Sequence, residues 1–405
     1  MYNREIYLDQ LIRFRDQPII KVLVGPRRSG KSSILQLYAN ELIKTQVSPG
    51  KIFHLNFESF EWSDIANAEK LYAWFKTRIS KEERVYILLD EIQEVANWER
   101  AINSLMTDFN ADLVITGSNS KLLSSELATF LTGRYVEIPV YTLSFKESRT
   151  FSNALNTNPE ADKEQAFDRY LISGGFPVLY TFPFDQDTGY KIIFDIYSSA
   201  ILRDTVQRFG IRDVELLERL VKFIMDNVGQ KFSAKSIADY FKSQQRKLDI
   251  NTIYNYLNAL ESAFIIYRVP RYDIRGKELL KTFEKYFLSD HGLTQAVLGK
   301  RPHLISGILE NIVCVEMMRR GYQVFVGKLD DIEIDFIAEK ANEKIYIQVA
   351  YRLDDPSTLE RERKPFLQID DNYPKYILTM DKRLSGNVDG ILTRFLPDFL
   401  LSHEI

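Results

Sequence analysis

Along the first 150 residues, short apolar runs alternate with segments whose apolar positions repeat at helical spacing. Ile19–Val24, Ile52–Asn56, Val85–Leu89, Leu113–Thr116 and Tyr135–Val140 read as strands. Several are apolar at every position, as parallel strands covered on both faces are. Helical patterns at Ser32–Thr45, Ala68–Ile79 and Trp98–Asp108 lie between them. Strands alternating with helices predict a parallel α/β sheet. From about Phe145 to Phe209 the pattern is mainly helical, broken once at Ser173-Gly174-Gly175-Phe176-Pro177. Short helices follow from about Ile211. Strands are then expected at Ala263–Val269 and Leu280–Leu288, around the polar turn Pro270–Gly276. The last hundred residues mix again: a helix over Ile308–Arg320 and strands over Gln323–Gly327, Ile332–Ala338, Lys344–Val349 and Lys375–Thr379. No internal repeat or long linker interrupts the chain.

Composition narrows the classes. At ~150 residues per domain, 405 residues suggest two or three domains with ample cores. An apolar share of 45% and a charged share of 27% are ordinary for a globular chain. Lys plus Arg is 53 against 56 Asp plus Glu, a net of −3, which excludes a globally basic coat but not a local basic patch. The single cysteine, Cys314, excludes an internal disulfide framework and a cysteine-based zinc cluster. Four histidines (His54, His291, His303, His403) speak against a His-rich metal site. No apolar run of ~18 residues predicts a membrane span, and the charged start MYNREIYLDQ lacks a secretory apolar core. The expectation is a cytoplasmic protein with no membrane partner.

Gly25-Pro26-Arg27-Arg28-Ser29-Gly30-Lys31-Ser32 matches the phosphate-loop pattern in full. It follows the apolar strand KVLV and opens the helical run Ser32-Ser33-Ile34-Leu35, which is the context the chemistry requires. The glycines let the backbone curl so that successive N–H groups face phosphate oxygens, and the helix N-terminus adds partial positive charge. Lys31 is expected to reach the β- and γ-phosphates, and the Ser32 hydroxyl to ligate Mg²⁺. Val85–Leu89 runs into Asp90-Glu91, an apolar strand ending in two carboxylates. Ligands of open α/β sheets bind at such carboxyl ends. Asp90 is the candidate second Mg²⁺ ligand and Glu91 the residue that polarises the attacking water. The next strand ends in Gly117-Ser118-Asn119, where Asn119 or Ser118 is placed to reach that water; a plain polar turn is the alternative. Arg134, before the strand that follows, is a candidate to stabilise phosphoryl charge from its own subunit or a neighbour, against the alternative of a surface arginine.

These segments resemble the AAA-type P-loop ATPases of bacteria and archaea, in which the core is followed by a winged helix and a C-terminal domain of unknown function. The resemblance rests on GPRRSGKSS (25–33), LLDEIQ (88–93), ITGSNS (115–120), LTGRYVEIPVYTLSFKE (131–147), GGFP (174–177) and DNYPKYIL (371–378). It covers essentially the whole chain. It implies ATP with Mg²⁺ as cofactor, slow hydrolysis, and the loop residues Gly25 to Ser33 as the nucleotide site. The preference for ATP over GTP rests on this likeness.

Ser233–Phe241 followed by Asn251–Ser262 reads as helix, turn, helix, and the strand pair beyond it as a wing. This is similar to a winged helix-turn-helix, whose second helix enters a major groove. Residues 229–285 carry eleven Lys/Arg against six Asp/Glu, a local net of +5. Lys235, Lys242, Arg246, Lys247, Arg271 and Arg275 are the candidate phosphate contacts. Tyr254 and Tyr256 either face the groove or pack inside. The alternative is a module that binds protein or rests against its own ATPase domain.

Glu310 on a helix, Asp335 at the end of an alternating strand, and Gln348 one strand further follow the order of a PD-(D/E)xK nuclease. That chemistry needs two carboxylates on a divalent ion and a lysine near the water. Here the second acid position is Gln348 and the lysine position is Ala350; Arg352 or Lys364 could substitute from elsewhere, though nothing in the sequence requires it. Residues 301–405 are acidic, with fourteen Lys/Arg against eighteen Asp/Glu. The expectation is a nuclease-like fold whose cleavage is lost or weak.

The reading is therefore a P-loop core over 1–147, a helical lid over 148–214, a winged helix over 215–290 and an α/β restriction-endonuclease-like domain over 300–405. Its function is an ATP-dependent switch, compatible with a homo-oligomer and with DNA as partner. The alternatives are a DNA-binding regulator in which ATP only sets conformation, and a metal-dependent nuclease.

Overall fold

The computed structural model describes residues 4–119, 133–155, 162–181, 185–246, 248–353 and 355–402. It divides into two compact units: Met1–Val140 with Ser262–Phe264, and Tyr141–Glu261 with Ile265–Ile405.

The first unit is a five-stranded, wholly parallel sheet. Its strands are β1 (Ile20–Val24), β2 (Ile52–Asn56), β3 (Val85–Asp90), β4 (Ala111–Gly117) and β5 (Tyr135–Pro139), in the order β2-β3-β4-β1-β5. All of β1, β3 and β4 is buried, which is why these runs carry no polar alternation. Alternate residues feed opposite faces. Ile20, Val22 and Val24 pack with Leu71, Phe75, Trp98 and Ile102 from helices α3 (Ala68–Lys76) and α4 (Trp98–Asp108). Leu23, Leu88 and Ile138 pack with Ile34, Leu35 and Tyr38 of α2 (Lys31–Lys44) and with Leu8 and Leu11 of α1 (Glu5–Arg13). Helix α1 lies outside the elements read from the sequence.

One charged pair sits inside this sheet. The Lys21 ammonium on β1 donates to Asp112 on β4 at 2.5 Å, with both side chains fully buried. Asp112 also accepts from the Asp16 backbone N–H at 2.7 Å and lies 3.6 Å from Arg84. These partners are what make a buried carboxylate tolerable.

In the second unit, helices α5 (Phe145–Leu155), α6 (Lys163–Ser173) and α7 (Gln186–Ser199, continuing as π-helix over Ala200–Gln207) precede three more: α8 (Val214–Asp226), α9 (Ala234–Ser243) and α10 (Ile250–Ser262). The Gly-Gly-Phe-Pro break is a close-packed joint. Asp290 accepts from the Gly175 N–H at 2.8 Å and from the Gly292 N–H at 2.9 Å. A Cβ at Gly174 would lie 1.9 Å from the Asp290 carboxylate, and one at Gly175 would lie 2.2 Å from the Leu143 carbonyl oxygen.

An eight-stranded sheet completes the chain. It comprises β6 (Ile266–Asp273), β7 (Glu278–Leu288), β8 (Gln323–Leu329), β9 (Ile332–Lys340), β10 (Glu343–Ala350), β11 (Lys375–Thr379), β12 (Gly386–Val388) and β13 (Ile391–Phe395), in the order β12-β13-β11-β10-β9-β8-β6-β7. Helices α11 (Gly292–Leu298), α12 (Ile305–Arg319), α13 (Pro356–Arg363) and α14 (Leu396–Leu401) accompany it. The strand pair expected as a wing does not stand apart from the C-terminal strands. Residues Arg271–Asp273 of β6 pair in parallel with Val326–Lys328 of β8, so the ladder runs across the expected boundary between 290 and 300. The pair also keeps a link to the three helices before it, through an antiparallel bridge between Lys231 and Lys285.

Lys21→Met leaves Asp112 charged and buried against fewer partners. It is expected to destabilise the first unit by about 3–5 kcal/mol, whereas Lys21→Met combined with Asp112→Leu recovers most of that loss. Denaturant unfolding of the three variants checks this, and equal stability of the single and double variants would refute it.

Candidate nucleotide site

The phosphate loop leaves β1 at Val24 and enters α2 at Lys31. Gly25 has φ +152°, and a Cβ there would lie 2.0 Å from the Val140 carbonyl oxygen, so only glycine lets the loop pass the end of β5. Gly30 is the N-cap of α2 in the left-handed region (φ +101°), with no side chain capping the helix. The first amides of α2 therefore have no intrahelical acceptor and no capping oxygen, which is the arrangement that receives an anion. Arg4, from just before α1, donates to the Ser29 carbonyl oxygen at 2.8 Å and props the loop from below. Arg27 pairs with Glu58 at 2.5 Å. Arg28 and Ser33 are exposed, and Pro26 and Ser29 are buried.

The acid-ended strand arrives at the same edge. The Lys31 ammonium is 4% exposed, donates to the carbonyl oxygens of Gly25 (3.1 Å) and Pro26 (3.0 Å), and stands 3.7 Å from the Glu91 carboxylate. The Ser32 hydroxyl lies near enough to the Asp90 carboxylate to favour its ionised form. Burial raises the Asp90 pKa, and Ser32 and Thr116 only partly offset it. Glu91 is buried as well, yet Lys31, Gln93, Ser118 and Arg27 outweigh the burial and lower its pKa. Glu91 has φ +51°, an uncommon backbone for a non-glycine residue. It is fixed there by its own N–H, which donates to the Thr116 hydroxyl at 3.0 Å, while that hydroxyl donates to Asp90 at 2.5 Å.

Thr116 thus joins the Asp90 carboxylate to the Glu91 backbone. The sequence reading singled out its neighbours Ser118 and Asn119 instead. The Ser118 hydroxyl lies near enough to Glu91 to help lower its pKa, and Asn119 is buried at the same end of β4. Arg134 does not reach this site. It is exposed just before β5, where its carbonyl accepts from Ile20 at the start of β1. The loop leaves the other end of β1, four residues on, about 13 Å of strand away. Parallel pairing of Ile20 with Tyr135 and of Val24 with Pro139 holds that separation, so Arg134 is excluded from its own subunit's loop.

A second polar cluster lies in the C-terminal sheet. The structure brings Glu310, Asp335 and Gln348 together: Gln348 accepts from the Asp335 N–H at 2.6 Å, and Asp335 accepts from the Val349 N–H at 2.9 Å. Into this cluster comes a residue that spacing did not mark. The Lys285 ammonium on β7 lies 2.9 Å from Glu310, 2.9 Å from Glu333 and 3.9 Å from Asp335. Burial would lower its pKa, but Glu310, Asp335 and Glu333 outweigh it and the pKa is raised. Burial and the crowding of like charge raise the pKa of Glu310 and of Asp335. Among the described residues, no group of three or more His, Cys, Asp or Glu side chains is arranged to hold a metal ion.

The candidate DNA contacts are dispersed. Lys235 and Lys242 are exposed on α9. Arg246 pairs with Glu215 at 3.0 Å, and Arg275 with Asp330 at 2.9 Å. Arg271 is half-buried within β6, between β7 and β8, so it is not a free arm toward a phosphate. Lys247 lies outside the described residues. Tyr254 is exposed on α10, whereas Tyr256 is half-buried and donates to the Asp213 carbonyl oxygen at 3.4 Å. No helix among the described residues is long and apolar enough to cross a membrane.

Comparison with known proteins agrees with this geometry. Residues 17–149 match the AAA domain family, and residues 164–304 match a domain of unknown function, DUF8612. An uncharacterized protein of Haemophilus influenzae is 42% identical over 99% of both chains. The uncharacterized protein MJ1544 of Methanocaldococcus jannaschii is 30% identical over 86% of this chain and 78% of its own. The fold is similar to that of the Walker-type ATPase PABY2304 of Pyrococcus abyssi, with a TM-score of 0.52 and 15% identity over 74% of this chain and 96% of that one. The chain belongs to one family with the Haemophilus and Methanocaldococcus proteins, and its residues 17–149 match the AAA domain family.

Proposed function

We propose that the chain is a Mg²⁺-dependent ATPase that works as a nucleotide-driven switch. The observation that carries this reading is the meeting, at one sheet edge, of Lys31 and Ser32 from the loop with Asp90 and Glu91 from β3, two strands away. The amides of residues 25–33 would wrap the phosphates, and Lys31 would turn from the Gly25 and Pro26 carbonyls to the β- and γ-phosphates. Ser32 and Asp90, neighbours at this edge, fit the protein's share of a magnesium shell, since phosphate and water supply the remaining ligands. A bound Mg²⁺ there would neutralise charge developing on the phosphoryl oxygens. Glu91, with its lowered pKa, is ionised at neutral pH and suited to take a proton from water. Asn119 and Ser118 line the same edge. Arg134 can act only on a neighbouring copy, as in a homo-oligomer.

A DNA-binding role is the second reading, favoured by one observation: α10 exposes Asn251, Tyr254, Asn255 and Asn258, and α9 exposes Lys235 and Lys242. The three helices, the Lys231–Lys285 bridge and the β6–β7 pair follow the order of a winged helix. For the C-terminal sheet the reading is a nuclease-like fold without cleavage.

Lys31→Ala is expected to weaken ATP binding ~10-fold or more, a charge-assisted hydrogen bond being worth about 1.5–3 kcal/mol. Glu91→Gln is expected to keep ATP affinity and slow turnover by roughly 10²-fold. Calorimetric binding and phosphate release check both, and wild-type affinity in Lys31→Ala would reject the site. For DNA, the affinity of the wild type should fall with salt. Lys235→Ala with Lys242→Ala should make the log–log slope shallower by roughly 2. A flat salt response in the wild type would remove the DNA reading.

A further inference from the structure

The acidic cluster of the C-terminal sheet already contains a cation. The Lys285 side chain is 2% exposed, and its ammonium donates to Glu310 on α12 at 2.9 Å. It lies 2.9 Å from one oxygen of Glu333 and 3.9 Å from Asp335, both on β9. The other oxygen of Glu333 takes Lys231 at 2.7 Å. Glu310 and Asp335 are the residues that a nuclease of this order would commit to a divalent ion. The ammonium touches one and stands beside the other.

Three physical points follow. A lysine bracketed by these carboxylates keeps its proton, so it cannot serve as the base that activates water. A divalent ion set among the same oxygens would sit within about 4 Å of a buried positive charge, at a Coulomb cost of several kcal/mol. The carboxylates, for their part, would be an uncompensated group of like charges if the ammonium were removed. The cluster therefore has an occupant, and the occupant is part of the chain.

We propose that Lys285 is the resident cation of this site, standing where a nuclease-like fold would hold a divalent metal. The site takes no metal as it is built. Its ionic bonds instead tie β7, and through Lys231 the segment before α9, to α12 and β9. This extends the nuclease-like reading of the C-terminal sheet by naming what replaced the metal, and it is independent of the ATPase reading.

The test uses the full chain, freed of nucleotide and divalent ions. Manganese is titrated in, with free Mn²⁺ read by electron paramagnetic resonance and unfolding read by circular dichroism. The wild type is expected to show no Mn²⁺ binding that Asp335→Asn removes. Lys285→Ala is expected to melt lower by roughly 5 °C or more. It is also expected to gain millimolar Mn²⁺ binding that restores part of the loss and disappears in Lys285→Ala with Asp335→Asn. Because Lys285→Ala can fail to fold, Lys285→Met is compared with Lys285→Met combined with Glu310→Gln. The double variant is expected to melt closer to the wild type, because one uncompensated carboxylate is gone. Wild-type Mn²⁺ binding that depends on Asp335 would overturn the proposal, as would a folded Lys285→Ala that gains none. A double variant melting no higher than Lys285→Met would overturn it too, whereas its failure would leave the nuclease-like topology of the sheet intact.

Discussion

Three charges are buried at one edge of the five-stranded sheet: the Lys31 ammonium and the Asp90 and Glu91 carboxylates. None can be hidden from water alone without a large cost, so each constrains the others. Lys31 is held by two loop carbonyls and faces Glu91, Asp90 is held by Thr116, and Glu91 is held through its own N–H. The order β2-β3-β4-β1-β5 makes this arrangement available, because β4 separates the loop strand from the acid strand and contributes Thr116 between them. The loop is thus preorganised by charge balance before any ligand arrives.

Much of the first unit was legible because its signals are local. Short apolar runs mark β1 to β5, and the phosphate loop announces the helix that follows it. The sequence also brought Asp90, Glu91 and Ser32 to one sheet edge in expectation, since a strand tip and a phosphate loop share that edge in a parallel sheet. Thr116 escaped because its role lies in two hydrogen bonds to residues 25 and 26 positions earlier. Arg134 was left open between its own subunit and a neighbour for a comparable reason: a Gly-Arg before a strand does not say which end of the sheet it occupies, and the parallel register puts it at the end away from its own loop.

The second unit was less legible because its organising contacts join distant segments. The β6–β7 pair reads locally as a hairpin on a helical module, yet three residues of β6 continue into the C-terminal ladder. Lys285 looks like one charged residue in a mixed strand. Its meaning depends on Glu310 and Glu333, which arrive 25 and 48 positions later. Conversely, Glu310, Asp335 and Gln348 do converge, as their order suggests, but on an ammonium.

The joint at Gly174, Gly175, Asp290 and Gly292 bears on how this family should be read across species. Asp290 splits its two oxygens between backbone N–H groups, and the glycines leave no volume for a side chain. A change at any one of the four strands the rest, so drift should pass them over singly and remove them only as a set. A signature such as Gly-Gly-Phe-Pro, persisting beside an Asp-x-Gly more than a hundred residues away, then records a steric dependency between two stretches of backbone. In a survey of homologues it would mark shared ancestry of the fold, and it would do so even in members whose phosphate loop has decayed.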